Sequence, residues 1–325
     1  MARMQGKTNF GGDECFAGID VSKAHLDLRL AGTSKGARFA NDPAGIAQLL
    51  AALAAAHPGP HLVVFEPTGR FHLALWRALD DAGHRAAPIN PYAARKLAEG
   101  LGRLAKTDAV DAATLCEIAQ RFPPAARPAP DDMTMEIKEL YAANAAAIKR
   151  RAMVRTQAKA SGNPLVLSLL TAEVASLTAQ IKALTATMNR LVLADPTTRR
   201  IHEILISIPG IGAGAALAIL VRLPEIGHAS REEIAALTAT APMTQQSGTW
   251  TGRARTKGGR RALRTALHMP AIVAMTRNPA LKTFAERLRA KGKHAFAIIT
   301  AVLRKLVILA NTLVKNNRTW TPIAP

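Results

Sequence analysis

Four acidic residues in the first third of the chain occupy positions where a carboxylate is costly unless it binds something. They are Asp20, Glu66, Asp108 and Asp111. The first interrupts the apolar run 15–21, the second directly follows the apolar run 61–65, and the last two are three residues apart, so on a helix they share one face. A buried carboxylate needs a cation or hydrogen-bond donors. Together the four predict an all-oxygen site for Mg²⁺ or Mn²⁺.

The segments that carry these residues alternate between strand and helix patterns. We predict strands near 15–21, 25–30, 36–40, 61–65 and 84–90, and helices near 43–56, 71–82, 92–100 and 107–120. This order predicts an α/β domain with carboxylates at strand ends. The four acidic residues in this context resemble the metal site of the ribonuclease-H-like (RuvC-like) class, which implies that fold. Actin-like kinases share this core, but they need a second glycine-rich phosphate loop, and the chain has none. Asp108 and Asp111 alone also fit a solvated first helical turn.

Charge is distributed unevenly along the chain. The 325 residues carry a formal charge of +20 and are 49% hydrophobic, which predicts two or three domains with buried cores. Residues 1–195 contain 23 Lys and Arg against 18 Asp and Glu, whereas residues 196–325 contain 20 against 5. An excess of that size attracts phosphates. The C-terminal part therefore predicts a surface that binds nucleic acid.

Several features indicate a cytoplasmic protein. Cys15 and Cys116 lie in apolar contexts, as reduced core thiols do. The polar segment 1–12 lacks the apolar centre of a signal peptide. Arg304 and Lys305 split the apolar stretch 295–314, which predicts a buried helix and no membrane partner. Two prolines between His57 and His61 exclude the helix that would bring these rings together as metal ligands.

A long helical region follows a proline-rich linker at 122–130. Residues 133–194 show two helical patterns, broken at 161–164. Apolar residues of the second alternate steps of three and four, which predicts a coiled coil. This heptad seam consists of Leu167, Leu170, Val174, Leu177, Ile181, Leu184, Met188 and Leu191. It can pack on the first helix of its own chain or on a partner chain, and we predict the latter. The predicted domains are 1–125, 126–195 and 196–325.

The last predicted domain, mainly α-helical, combines a glycine turn with a cluster of basic residues. Residues 199–222 fit a helix–hairpin–helix plan, in which Gly210 and Gly212 let backbone amides approach a phosphate. A Pro/Ser/Gly-containing loop at 242–248 follows, and six basic residues come after it. They are Arg253, Arg255, Lys257, Arg260, Arg261 and Arg264. We predict that the glycines and the basic residues bind nucleic acid through its backbone.

Taken in order, these motifs resemble the transposases and recombinases of the insertion sequence 110 family, which includes the Piv-type site-specific invertases. The resemblance runs from Gly18-Ile19-Asp20 through Glu66-Pro67-Thr68-Gly69, the segments 106–111 and 208–212, and on to 247–264. It implies an Asp-Glu-Asp-Asp metal site in a RuvC-like domain, a coiled coil that joins protomers, and a catalytic serine, here Ser247. It further implies donor and target DNA, a structured bridge RNA, and a homo-oligomer, a dimer that forms a tetramer in the synaptic complex.

One segment departs from the family pattern. The catalytic loop of the family more often opens with Gly-Leu-x-Pro, and Ala239-Thr240-Ala241-Pro242 stands in that place here. The loss of the glycine narrows the backbone conformations open to the loop. Pro242 and Ser247 are retained, so Ser247 remains the predicted nucleophile.

These features predict a transposase or site-specific recombinase that cuts and rejoins DNA through a serine–DNA link, aided by a divalent metal. Two alternatives stay open. A RuvC-like nuclease would hydrolyse DNA with a metal-activated water and would need no serine. A non-catalytic nucleic-acid-binding protein would carry a degenerate acidic cluster.

Overall fold

A computed structural model of the protein describes residues 15–102, 108–244, 246–247, 250–251 and 255–322, without the side chains of 108–110, 246–247 and 250–251. The chain divides after Pro130 into two compact units, the N-terminal unit and the C-terminal unit. Arg253 lies outside the described residues, as do the side chains of Asp108 and Ser247. The three-part division 1–125, 126–195 and 196–325 stays a prediction.

The N-terminal unit is built on one mixed sheet. Its strands are β1 (Cys15–Val21), β2 (His25–Leu30), β3 (Ala37–Ala40), β4 (His61–Phe65) and β5 (Arg85–Pro88). The strand order is β3-β2-β1-β4-β5; β1, β4 and β5 run parallel, and β2 is antiparallel to both of its neighbours. The carboxyl ends of β1, β4 and β5 therefore meet at one edge of the sheet.

Helices cover both faces of this sheet. They are α1 (Pro43–Ala56), α2 (Leu73–Asp81), α3 (Pro91–Gly100) and α4 (Asp108–Arg121). On one face, α1 and α2 bury Leu49, Leu53 and Leu75 against the sheet; on the other, α4 buries Leu115 and Ile118. These layers place the predicted strands and helices where the sequence indicates, and the α/β class of this unit is confirmed.

The C-terminal unit begins with a helical hairpin. It consists of α5 (Asp132–Ala160) and α6 (Pro164–Ala194), and Asn163 accepts the backbone N–H groups of the first turn of α6. All eight seam residues are buried or half-buried. Leu170 and Leu177 pack with Ala147 and Val154 of α5. The seam thus packs on the first helix of its own chain, and pairing with another chain stays a proposal.

Short helices and strands complete this unit. They are α7 (Pro196–Ser207), α8 (Ala213–Arg222), α9 (Arg231–Leu237), β6 (Pro242–Met243), β7 (Gln246–Ser247), β8 (Trp250–Thr251), β9 (Arg255–Thr256), α10 (Arg261–Ala266), α11 (His268–Arg277), α12 (Pro279–Ala290) and α13 (Ala295–Lys315). Val302, Leu306 and Ala310 of α13 are fully buried in the core of the unit. The four strands were not predicted, and the mostly helical character of the unit was.

Two described helices, α6 and α13, are long and apolar enough to cross a membrane. Both have partners within the chain, since α6 packs its seam on α5 and α13 is central to the core of the C-terminal unit. Cys15 and Cys116 are free thiols, and Cys116 is buried. Cys116 therefore lies in the core as predicted, Cys15 is half-buried, and the reduced state of both stays a prediction.

Candidate functional site

Two of the predicted metal ligands lie side by side at the carboxyl edge of the sheet. The last paired residues of β1 and β4 are Ile19 and Phe65, and Asp20 and Glu66 are the next residues on these neighbouring strands. Parallel strands lie about 4.8 Å apart. Side chains alternate between the two faces of a strand. Because Ile19 packs beneath α1 and α2, the alternation places Asp20 on the face that carries α4. Phe65 packs beneath α1 and α2 as well, so the same alternation predicts that face for Glu66, the first residue after β4.

Helix α4 approaches this pair closely because β1 has a glycine where the two elements touch. A Cβ on Gly18 would overlap the carbonyl oxygen of Ala112 and the amide nitrogen of Cys116. The thiol of Cys116 lies 3.8 Å from the carbonyl oxygen of Phe16. The strand β1 and the helix α4 run in opposite directions along this contact: Phe16 lies near Cys116, and Gly18, closer to Asp20, also meets Ala112 nearer the first turn of α4. That turn carries Asp108 and Asp111, so all four carboxylate positions lie toward one end of this contact.

The described carboxylates are not arranged as a metal-binding group. Asp20, Glu66 and Asp111 are each half-buried. Within the described residues, no group of three or more His, Cys, Asp or Glu side chains is arranged to hold a metal ion. Asp108 begins α4, but its side chain lies outside the description. The backbone brings the four positions toward one edge and face, while the metal cage itself stays a prediction.

A fifth carboxylate, which the sequence did not single out, faces Asp20 across the strand pair. Asp27 of β2 is the direct partner of Asp20 in the register of β1 and β2. The guanidinium of Arg38 binds the carboxylate of Asp27 at 2.8 Å and 3.1 Å. Because this ion pair offsets its charge, Asp27 is a structural neighbour of the predicted metal site.

Ser247 lies in one of two short antiparallel strand pairs that follow α9, which together we call the ribbon. Pro242 and Met243 pair with Thr256 and Arg255 at its base. Farther along, Gln246 and Ser247 pair with Thr251 and Trp250. The register makes Ser247 the last paired residue before the two-residue connection 248–249. Ser247 is therefore the residue of β7 nearest to this connection.

Buried contacts hold the first end of the ribbon. The hydroxyls of Thr238 and Thr240 lie 3.0 Å apart, and each also donates to backbone carbonyls of α9. Between them Ala239 has φ 55°, a left-handed conformation that favours glycine. This is the position where the insertion sequence 110 pattern more often has glycine, and Ala239 adopts a left-handed conformation there without one.

The second end of the ribbon is held by a glycine against α9. Gly259 has φ 64°, and a Cβ there would overlap the backbone of Ala236 and Ala239. The next residue, Arg260, donates its amide N–H to the carbonyl of Leu237 at 2.7 Å. Both ends of the segment that carries Ser247 are therefore fixed to the C-terminal end of one short helix.

Comparisons with known proteins place this combination in a family. The IS110 DEDD model, described as a transposase, matches residues 17–161, and a model described as "Transposase IS116/IS110/IS902 family" matches residues 202–286. The chain belongs to the IS110 family of transposases. The α/β N-terminal unit followed by a mostly helical region is consistent with a RuvC-like DEDD domain in this family. The protein is thus a transposase, an enzyme that recombines DNA.

Named relatives resemble this transposase over different lengths. The "Pilin gene-inverting protein" of Moraxella bovis is 27% identical over 314 residues, which cover 93% of this chain and 96% of that protein. The "Insertion element IS110 uncharacterized 43.6 kDa protein" of Streptomyces coelicolor is 30% identical over 148 residues, 45% of this chain and 36% of that protein.

The predicted basic contacts of the transposase fall into two groups. Arg255, Lys257 and Arg261 are exposed. Arg260 instead binds Glu225 with both terminal nitrogens, at 2.5 Å and 2.6 Å, and also donates to a backbone carbonyl of α8. Arg264 is half-buried and donates to the carbonyl of Ala239 at 3.3 Å. Among the five of these basic residues that the structure describes, the first group is accessible to a phosphate, whereas Arg260 and Arg264 hold the base of the ribbon.

The two glycines of the turn between α7 and α8 have different surroundings. A Cβ on Gly210 would overlap Ala274 and the carbonyl of Pro270 in α11, so this glycine serves close packing. Gly212 is exposed, caps the N-terminus of α8, and has open space around it. Gly212 is therefore the glycine of this motif that a phosphate can approach.

A histidine cluster lies at the opposite end of β4 from Glu66. The ring centroids of His57 and His61 are 6.0 Å apart, and those of His61 and His84 are 5.3 Å apart. The loop path brings these rings together, although the prolines exclude a helix. His57 and His84 accept backbone N–H groups through Nδ1, so their Nε2 atoms carry the protons in neutral rings and do not offer metal-binding lone pairs.

Proposed function

We propose that this transposase cuts and rejoins DNA through a covalent bond between Ser247 and a DNA phosphate, aided by a divalent metal ion that four carboxylates hold. The proposed ligands of Mg²⁺ or Mn²⁺ are Asp20, Glu66, Asp108 and Asp111. The contact between Gly18 and α4 carries this proposal, since it brings the first turn of α4 toward Asp20 and Glu66. Oxygen-only donors of this charge fit a hard divalent cation.

The chemistry assigned to the serine is a phosphoryl transfer. The Oγ atom of Ser247 attacks phosphorus and loses its proton to a base, while one bridging P–O bond of the DNA breaks and the departing oxygen gains a proton. A phosphoserine link and a free DNA hydroxyl result, so the reverse step can join a different strand without a net loss of phosphodiester bonds. A divalent ion held by the carboxylates would offset charge on the phosphate.

The exposed basic residues are assigned to the DNA backbone. Arg255 lies on β9 directly across from Met243, and Lys257 follows β9. Arginine is suited to this role because its planar guanidinium contacts two phosphate oxygens at once. We assign the same role to Arg253, and we assign a phosphate contact to the exposed Gly212 in a helix–hairpin–helix motif.

Partners other than DNA rest on the family resemblance. We propose a bridge RNA, which the charge of the C-terminal unit supports: residues 234–325 contain 16 Lys and Arg and a single acidic residue, Glu286. We also propose a homo-oligomer in the cytoplasm, a dimer that forms a tetramer on DNA. Because α5 already covers the seam, a partner chain would pack on exposed residues such as Leu165 and Leu169, which are 68% and 63% exposed.

The two alternatives make different use of the same residues. A hydrolytic RuvC-like nuclease uses the carboxylates and leaves Ser247 without a role. A non-catalytic binding protein uses neither. The transposase family to which the chain belongs argues against this second alternative.

A recombination assay between two plasmids tests the proposal. One plasmid carries the element with its flanking non-coding DNA, and the other carries its target. We expect recombinant junctions with the wild type and none with Asp20→Asn or Ser247→Ala at equal protein levels. Sequencing of the RNA that co-purifies with the wild type tests the bridge RNA. Full recombination by Ser247→Ala would overturn the serine chemistry, and full recombination by Asp20→Asn would overturn the metal site.

A further inference from the structure

Three large apolar side chains are exposed on neighbouring helices of the C-terminal unit. Phe296 of α13 is 65% exposed, Met269 of α11 is 61% exposed, and Val273 of α11 is 41% exposed. The ring of His268 lies 5.7 Å from that of Phe296, at an interplanar angle of 35°. We call Phe296 and His268, together with Met269 and Val273 on the same helix as His268, the Phe296 patch. A single exposed apolar residue is ordinary, whereas a group of them marks a contact surface.

The patch does not belong to the core of the unit. On the side of α11 opposite Met269 and Val273, Ala271 and Ala274 are buried. In α13, the first buried residue is Ile298, two residues after Phe296. Both helices therefore have a core face already, and the patch lies on the sides that remain. Its exposure leaves apolar area in water that a bound partner would cover.

The charge around the patch decides the class of partner. The segment Lys291, Gly292, Lys293 and His294 directly precedes α13, and all four residues are exposed. Between residues 234 and 325 the only acidic residue is Glu286, against 16 basic ones. A second copy of this surface would bring like charges together. A polyanion carries the opposite charge and would be attracted to this surface, so the charge fits a nucleic acid as the partner.

We propose that Phe296 and His268 stack on an unpaired nucleobase, while Lys291 and Lys293 bind the phosphates on either side of it. Bases inside a duplex are already stacked and paired, so a flat aromatic surface favours a base that is unpaired or displaced. Met269 and Val273 would cover the apolar edges of the neighbouring sugar. The inference rests on the proposed binding of nucleic acid by the C-terminal unit and does not depend on which residue is the nucleophile.

Fluorescence anisotropy of the full chain tests the inference with three probes of equal length: single-stranded RNA, single-stranded DNA, and a DNA duplex. Loss of one base-stacking aromatic weakens binding by about tenfold or more. We expect Phe296→Ala to weaken single-strand binding by about tenfold and duplex binding by less than about twofold. Phe296→Trp should retain binding, since it keeps a stacking surface. Phe122→Ala, which removes an exposed aromatic from the N-terminal unit, should bind like wild type.

Two further readouts separate stacking from charge. A single-stranded probe with 2-aminopurine should be quenched by the wild type and not by Phe296→Ala. Lys291→Ala combined with Lys293→Ala should weaken all three probes and reduce the salt dependence, because fewer phosphates are neutralised. An effect limited to RNA or to DNA would identify which strand carries the base, and either supports the proposal.

Other outcomes would overturn it. Equal weakening of duplex and single strands by Phe296→Ala, or no weakening, would exclude a base-stacking site. A concentration-dependent oligomer of the wild type that Phe296→Ala abolishes would assign the patch to a second copy. If the wild type binds none of the probes, the proposed binding of nucleic acid fails as well; if it binds and Phe296→Ala is without effect, only this inference fails.

Discussion

Gly18 of β1 lies directly against Ala112 of α4, and no side chain separates the two backbones. This contact fixes how far the helix can approach the strand. Because Asp20 lies two residues beyond Gly18 and Asp111 one residue before Ala112, the contact also sets the distance between two carboxylates that we assign to one metal site.

The first prediction concerns this contact. In Gly18→Ala the new methyl group meets backbone atoms, which cannot rotate away, so we expect a loss of about 3 kcal/mol in the free energy of unfolding and a displaced α4. Gly100→Ala is the matched control, since a Cβ at the last residue of α3 meets nothing within 4 Å. Urea unfolding measures both. Equal stability of the two variants would mean that α4 does not pack on Gly18.

The second prediction concerns the metal. If the carboxylates bind Mn²⁺, an excess of about a hundred times its dissociation constant should add about 2.7 kcal/mol to stability. Asp20→Asn should remove most of this gain. Asp27→Asn should keep it, because Asp27 faces Asp20 but is bound by Arg38. Thermal unfolding with and without Mn²⁺, alone and with DNA, measures the gain. No gain in either state would argue against a metal site.

The third prediction concerns the base of the ribbon. Gly258 and Gly259 both have positive φ, but only Gly259 faces backbone atoms, those of α9 and Ala239. A side chain in this conformation costs about 1–2 kcal/mol, and overlap adds about 1–3 kcal/mol. We therefore expect Gly259→Ala to lose about 2–5 kcal/mol and to abolish recombination, and Gly258→Ala to lose about 1–2 kcal/mol. Calorimetry and the plasmid assay measure these effects. Indistinguishable variants would exclude the contact as the fixed end of the ribbon.

The fourth prediction concerns pH. Burial lowers the pKa of His61 below its ordinary value, and the charges of His84 and His57 lower this pKa further. The unfolded chain takes up a proton near pH 6.5 and the folded chain does so at lower pH. The contribution of neutral His61 to the free energy of unfolding is therefore fully present above about pH 6.5 and is lost as the pH falls below that value. His61→Phe should flatten this slope between pH 7.5 and 5.5, and His25→Phe at the exposed start of β2 should not. An unchanged slope in His61→Phe would assign the acid sensitivity to other groups.

The sequence predicted the elements better than it predicted their contacts. Apolar runs and their breaks are local, so the strands and helices of the N-terminal unit were found close to their observed bounds. The ribbon 242–256 was missed because its strands are two residues long and show no alternation. The partner of the heptad seam could not be predicted, since α5 and another chain offer the same apolar surface.

Roles that depend on residues far apart in the chain could not be predicted from the sequence. Arg260 is one of six similar basic residues, and only the fold brings Glu225 to it. Gly210 and Gly212 look alike in the motif, yet one packs on α11 and the other is open. His57, His61 and His84 meet through a loop and two strands, and no spacing rule describes such a path.

We propose that Ser247 forms the bond to DNA, and this bond can be trapped. A suicide substrate with a nick beside the cleavage site traps such a bond, because the departing fragment diffuses away. We expect the wild type to give a detergent-resistant adduct that maps to Ser247. Ser247→Ala should bind DNA nearly as well, since one hydroxyl adds little beside many phosphate contacts, and its rate should fall by up to about a millionfold. An adduct that forms equally in Ser247→Ala, or maps to Ser230 or Thr244, would contradict the claim, and metal-dependent cutting by Ser247→Ala without an adduct would favour the hydrolytic nuclease.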